Sequence, residues 1–369
     1  MKLRSKPILV VKSRAIGDTV LLTGSLRLLR KNFPKSPIHV LVRSPAGQLL
    51  EGLPYVDRII CTKEPRGKFD RVAYWARIIS RLRNLRYSYV LNFHASFRSA
   101  MTCLFCMAQK VVTNHHELNG RNWFSDVEVP GRGVVKSNID RDLDVLRAIG
   151  IKAEVKDALP ELRFLPAEIE EMKEVISKNT KNPQKNPVSI FLGIGGSRDT
   201  KRWEPDLFAR MTEILSKKLG ARFLIASIDS DKRWLEKFFA SFSNQEILND
   251  FVHLTNLELR QTACVIANSD IYVGNDSGMK HVAAAVGKPT VSLFGPEAPL
   301  EWHPYDTNCH PYFFIEGLEC RTESGKHWCS IPSCVKHDHK CMKQILPEQV
   351  AEKVIQLMTT KSREELLSC

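Results

Sequence analysis

The sequence contains no apolar stretch of the roughly twenty residues that a membrane-spanning helix requires. Its longest such run, near Ala100 to Ala108, suits a buried helix. At the N-terminus, MKLRSKPILVVKS is basic and then apolar, as a secretory signal would be. The apolar part is too short for the core of a signal and rich in β-branched residues, so it reads as a first strand. No G-K-[ST] closes a Walker A loop, and no full G-x-G-x-x-G follows a strand, which argues against a P-loop and a dinucleotide fingerprint. The basic residues lack the interleaved aromatics of a single-strand platform, and no recognised nucleic-acid motif occurs, which argues against a nucleic-acid-binding protein. Short repeats are absent too. Ten cysteines do not force an oxidising compartment, since five lie in strand–helix sequence where reduced, buried cysteine is common. A cytoplasmic protein is the expectation.

What is present is length, core-forming residues and a lopsided charge. The 369 residues, 43% of them hydrophobic, suggest two domains with substantial cores. Residues 1–165 hold 29 Lys and Arg against 14 Asp and Glu, and the remainder 25 against 27, so the net charge of +13 belongs entirely to the first half. A basic half implies an anionic partner: nucleic acid, an anionic membrane surface, or a phosphorylated or carboxylated substrate. A solvated basic face is the plain alternative.

Apolar runs alternate with helical patterns throughout. In the first half, strands are expected at 8–11, 38–42 and 89–93, with a further candidate at 58–61, and helices at 18–31, 72–85, 96–108 and 139–149. A charged helix at 168–177 and the polar stretch NTKNPQKNP make 166–187 the best linker region. The pattern then restarts with strands at 188–192 and 222–226 and helices at 205–219, 232–241 and 259–267. Such alternation implies parallel sheets with right-handed crossovers, in two doubly wound domains.

Three turns carry the chemistry. VGNDSGMKHVAAAVGKPTVSLFGP, from Val273 to Pro296, is a β-α-β crossover whose turn, Gly274 to Gly278, is rich in glycine and small polar residues. Unpaired N–H groups and the helix dipole favour an anion there, and a phosphate-bearing ligand is the natural occupant. A second turn, Gly193-Ile194-Gly195-Gly196-Ser197-Arg198-Asp199-Thr200-Lys201-Arg202-Trp203, offers hydroxyls at Ser197 and Thr200 and charge at Lys201 and Arg202. Two such turns at one sheet edge fit a nucleotide diphosphate. In the third, Arg14-Ala15-Ile16-Gly17-Asp18, Asp18 stands where strand one gives way to a helix. It suits a general base that removes a proton from an acceptor hydroxyl, with an ordinary helix-capping aspartate as the competing reading.

These residues resemble glycosyltransferase family 9, the heptosyltransferases that build the inner core of lipopolysaccharide. The family signature D-[ST]-G-x-x-H-x-A-A-A-x-G-x-P-T-[VI]-x-[LI]-F-G-P is matched from Asp276 to Pro296, the loop ending in Lys-x-Trp by Lys201 to Trp203, and the Gly-Asp turn by Gly17 and Asp18. Weaker matches are HASFRS at 94–99 and CMKQILPEQV at 341–350. The chain departs from the family at Gly193-Ile194-Gly195, where His-Pro-Gly is common, and at Phe93-His94-Ala95. The resemblance implies a GT-B fold, two Rossmann-like doubly wound domains facing a central cleft. Residues 1–165 would bind the acceptor, 188–346 the nucleotide sugar, and 347–369 would form a C-terminal helix. It implies inverting, metal- and cofactor-independent transfer of heptose from ADP-heptose to a lipid A-Kdo or heptosylated core acceptor. Asp18 would be the base and Lys201 would stabilise the departing ADP. Ser197, Thr200, Asp276, Ser277 and Gly278 would meet the donor, with His281 supporting the loop or the sugar unless it is purely structural. Asp229 would meet the ribose, with Asp231 the alternative. Arg98 and Arg121 are the candidates for acceptor carboxylates, each weighed against a plain surface arginine. The basic half then fits an enzyme peripheral to the anionic cytoplasmic face of the inner membrane. The alternative keeps the fold with another nucleotide-sugar donor or surface-glycan acceptor.

Cys309, Cys320, Cys329, Cys334 and Cys341, with His327, His337 and His339, crowd the last sixty residues. Their C-x8-C-x4-C-x6-C spacing lacks the paired C-x2-C of structural zinc sites, so reduced structural cysteines and no metal are expected.

Overall fold

A computed structural model of the chain describes residues 6–360 apart from 64, 66, 95, 115–123, 130–134, 183–187, 323–328 and 330–332. The chain divides into two units, Met1–Arg163 and Phe164–Cys369.

In the first unit the elements run β1 (Ile8–Lys12), α1 (Ile16–Asn32), β2 (Ile38–Arg43), β3 (Arg58–Thr62), α2 (Lys68–Arg83), β4 (Tyr89–Asn92), α3 (Phe97–Phe105), β5 (Lys110–Thr113) and α4 (Asn138–Arg147). The sheet is parallel in the order β3-β2-β1-β4-β5, with Ile8 in register with both Ile38 and Tyr89. All five residues of β1 are buried, as expected of a central parallel strand covered on both faces. Leu9 and Val11 point to the face on which Leu82 of α2 and Cys103 of α3 pack. The alternate residue Lys12 reaches α4 on the other face, where α4 packs against α1. Gly24 lets α1 approach a neighbouring turn closely, because a Cβ there would lie 1.9 Å from the Ala158 carbonyl oxygen.

The second unit comprises α5 (Pro166–Lys178), β6 (Ser189–Gly193), α6 (Pro205–Leu219), β7 (Arg222–Ser227), α7 (Lys232–Ala240), β8 (Phe251–Thr255), α8 (Leu259–Ala267), β9 (Ile271–Asn275), α9 (Gly278–Ala285), β10 (Thr290–Phe294), α10 (Pro299–Trp302), β11 (Tyr312–Phe314), α11 (Glu319–Thr322), α12 (Lys340–Lys343) and α13 (Pro347–Thr360). Its sheet is parallel in the order β11-β10-β9-β6-β7-β8. The core gathers Trp203, Phe208, Phe223, Phe238 and Phe251 with Ile190 and Val273 of the central strands. Within 166–187, read from sequence as a linker, α5 belongs to this unit. It packs against α8, and Glu168 forms a two-point ion pair with Arg260, whose Nη2 lies 2.8 Å from Oε2.

In both units the strand order reverses at the first strand, between β1 and β4 and between β6 and β9. Ligands of open α/β sheets bind beyond the carboxyl ends of the strands at such switch points. Two Rossmann-like units of this kind constitute the GT-B class. Among the described residues no helix is long and apolar enough to cross a membrane.

Candidate active site

The second switch point brings together the two glycine-rich turns that the sequence singles out. Gly193 and Gly274 are register partners on β6 and β9. Neither has room for a side chain: a Cβ on Gly193 would lie 2.0 Å from Tyr272 Oη, and one on Gly274 2.4 Å from the Gly193 carbonyl oxygen. Gly193 therefore serves strand packing, whereas the space around a Cβ at Gly195 is open to 4 Å. Asn275, fully buried, ties the turns together. Its Oδ1 accepts from the Trp203 N–H at 2.9 Å, and its Nδ2 donates to the Ile194 carbonyl at 2.8 Å.

Around Asp276 the site is ionic and buried. One carboxylate oxygen lies 2.7 Å from Lys201 Nζ and the other 2.7 Å from Lys280 Nζ. Burial by itself would raise this carboxyl, but the two ammonium groups outweigh it and hold Asp276 well below the usual carboxylate range. Lys280 is fully buried, donates also to the Trp302 carbonyl at 2.9 Å, and stands 4.2 Å over the Phe294 ring. Burial brings its pKa down to about 8, against the opposing pull of Asp276. Helix α9 begins at once, and the Ser277 side chain does not cap it, so its first N–H groups are free of that competitor for an anion.

The other expected donor residues take distinct positions. Ser197 is exposed, whereas Thr200 is buried and its carbonyl accepts from His339 Nε2 at 2.8 Å. His281 lies in the interior with its Nδ1 2.6 Å from Tyr305 Oη, and burial holds its pKa well below the usual histidine value. At the end of β7, Asp231 is buried in an ion pair with Arg202 at 2.9 Å, while Asp229 is exposed. That leaves Asp229 the accessible member of the pair.

At the first switch point, Asp18 sits in the first turn of α1, where its Oδ2 accepts from the Ala15 N–H at 3.1 Å. Its other oxygen is 3.9 Å from Lys12 Nζ. Lys12 itself is buried and fully engaged by Asp142 of α4, at 2.7 and 2.9 Å. Burial raises the Asp142 carboxyl to about 6 in spite of Lys12. The neighbouring turn after β4 is knit by Asn92, whose Nδ2 donates to Ser99 Oγ at 3.2 Å, and by Ser96, which caps α3. Arg98 is exposed on the first turn of α3. Arg121 lies outside the described residues, as does His327.

Lys12, Asp142, Asn275 and Lys280 were missed by reasoning from sequence. A lysine closing the otherwise apolar ILVVK, and an aspartate on the apolar side of IDRDLDVL, are the signals that mark the first pair. Four cysteines of the tail, Cys320, Cys329, Cys334 and Cys341, line a cavity of about 340 Å³ with Thr200 and Pro296 at its wall. Among the described residues no three His, Cys, Asp or Glu side chains are placed to share a metal ion.

The sequence profile of glycosyltransferase family 9 (heptosyltransferase) matches residues 75–324. A lipooligosaccharide heptosyltransferase 2 of Haemophilus ducreyi is 25% identical over 366 residues, covering 95% of this chain and 99% of the relative. Among solved structures, a glycosyl transferase of family 9 from Veillonella parvula superimposes with a TM-score of 0.76 at 19% identity, covering 98% of this chain and 99% of that one. The Escherichia coli ADP-heptose lipopolysaccharide heptosyltransferase II does so with a TM-score of 0.75 at 22% identity, covering 96% and 99%. These two structures share its fold.

Proposed function

The chain belongs to glycosyltransferase family 9 and is a glycosyltransferase, and from that premise we propose that it moves heptose from ADP-heptose to the inner core of lipopolysaccharide with inversion. The observation that carries the reading is the second switch point: two turns on adjacent parallel strands, pinned by Asn275, surround Lys201 and the uncapped start of α9. That is a place for a diphosphate. The relatives named for ADP-heptose and lipooligosaccharide support the donor and acceptor classes.

In this mechanism Asp18 takes the proton of an acceptor hydroxyl as its oxygen attacks the anomeric carbon of the sugar. The bond from that carbon to the ADP oxygen breaks, and Lys201 offsets the charge that develops on ADP. Asp276 acts through Lys201: its carboxylate is consumed by the two lysines and orients Lys201 rather than the sugar. Ser197, Ser277 and Gly278 line the diphosphate, Asp229 meets the ribose, and Arg98 meets acceptor carboxylates. The enzyme works at the anionic cytoplasmic face of a membrane, where such an acceptor resides.

Purified protein supplied with ADP-heptose and a Kdo–lipid A or heptosylated acceptor should release ADP and add one heptose to the acceptor by mass. If another nucleotide sugar is consumed and ADP-heptose is not, the fold assignment stands and the donor does not.

A further inference from the structure

Helices α2 and α3 lie side by side on one face of the first sheet. Ile78 and Leu82 of α2 and Cys103 of α3 share a cluster with Leu9, Val11 and Val90, and Arg83 Nη2 reaches Met107 Sδ at 2.7 Å. The side chains these helices turn outward are unusual for a water-facing surface. Phe69 is 92% exposed, Val72 72%, Phe97 76% and Met107 66%. Six of the fourteen large hydrophobic side chains exposed among the described residues fall between 69 and 107, which makes this a concentration rather than scattered single residues. Ala73, Ala76, Arg77, Arg81 and Arg83 lie exposed on α2 beside them. From 68 to 107 the sequence has seven Lys and Arg against the single acid Asp70.

A bare ring and a bare valine at one end of α2, and guanidinium groups toward the other, match a particular environment. A basic amphipathic helix lying in the plane of a bilayer sinks its aromatic and aliphatic side chains at the headgroup boundary, while its cations meet lipid phosphates. The near absence of acids favours a uniformly negative surface over a protein of mixed charge. We propose that the outer faces of α2 and α3 are the membrane-docking surface of this protein. Phe69 and Val72 enter the apolar boundary, and Arg77, Arg81 and Arg83 pair with anionic headgroups. This deepens the proposed function and rests on it for the location of the acceptor.

Full-length protein is sedimented with phosphatidylcholine vesicles, with and without phosphatidylglycerol. The wild type should bind only the anionic vesicles, less tightly as salt rises. The Phe69→Ser/Val72→Ser and Arg77→Glu/Arg81→Glu variants should each bind about tenfold more weakly. Both should retain the circular dichroism of the wild type and its turnover on a delipidated, water-soluble acceptor. Wild-type protein that ignores anionic vesicles, or binds neutral ones equally, overturns the proposal. So does undiminished binding by both variants, which would leave membrane association intact and relocate its surface. Heptose transfer to the delipidated acceptor reports separately on the proposed activity, so failure of one reading is not mistaken for failure of the other.

Discussion

The two switch points share one construction, a strand, a glycine-containing turn and a helix start, yet they treat their carboxylates in opposite ways. Asp276 leaves 5% of its side chain exposed and is divided between two ammonium groups. Asp18 leaves 20% of its side chain exposed, and its nearest cation, Lys12, is already held by Asp142. A carboxylate locked between two cations is a poor proton acceptor, because protonation would leave buried positive charge uncompensated. The open one, with its neighbouring lysine committed elsewhere, is the one proposed as the base. The difference matches the two roles proposed for them, holding an anion at Asp276 and accepting a proton at Asp18, although both are aspartates in glycine-containing turns of the sequence.

Asp18→Asn should widen that contrast most: turnover falls roughly a thousandfold, the middle of the range for losing a general base, while ADP affinity measured by calorimetry stays put. A loss of ADP binding in this variant would show that the two switch points are not functionally separate. Lys280→Met comes next. It removes one of two cations from a buried carboxylate and should cost about 3 kcal/mol in urea-unfolding free energy, the low end for breaking a buried ion pair because Lys201 remains. The same variant carries a pH test. In the folded wild type the Lys280 ammonium is lost as pH rises through about 8, leaving Asp276 a single partner. ADP affinity of the wild type should therefore decline above that pH, and the Met variant should lack this limb. An identical alkaline profile in both would dissociate Lys280 from donor binding.

Lys201→Ala should lower kcat/KM about a hundredfold and weaken ADP binding, as expected for a charge placed against a leaving group. Unchanged steady-state kinetics would remove Lys201 from the donor site. The smallest effect is expected of Gly274→Ala. Its Cβ would lie 2.4 Å from a backbone oxygen of β6, a clash that should destabilise the protein by about 2 kcal/mol and shift the thermal midpoint down. A midpoint equal to that of the wild type would mean that the two strands yield easily and that their close approach does not hold the turns in place.

Much of the fold was legible. The helices 205–219 and 259–267 have the extents read from sequence, because their apolar faces, Pro205 at a helix start and Gly220 at a helix end, are local signals. The three strands missed, β5, β8 and β11, are all at sheet edges. They are three to five residues long, and β8 interrupts its apolar run with exposed His253 and Thr255, so no run long enough to announce a strand survives. At the site, the turn residues were legible for the same local reason. Their partners were not. The sequence places Ser197 and Thr200 alike beside a phosphate, but folding exposes the first and buries the second. Asp229 and Asp231, equivalent in SIDSD, are told apart only by the reach of Arg202 across 29 residues.

By itself the sequence determined the alternation of strand and helix and the glycine turns that carry Asp18, Lys201 and Asp276, since each depends on residues a few positions apart. Strand order and charge environment were decided only by tertiary structure. Placing β9 beside β6 brings Asn275 to Trp203 across 72 residues, and packing α4 on the first sheet brings Asp142 to Lys12 across 130. Burial then sets what those groups can do, because in a water-poor interior the charge a carboxylate keeps, and whether it can accept a proton, depends on which cations the fold has brought within reach.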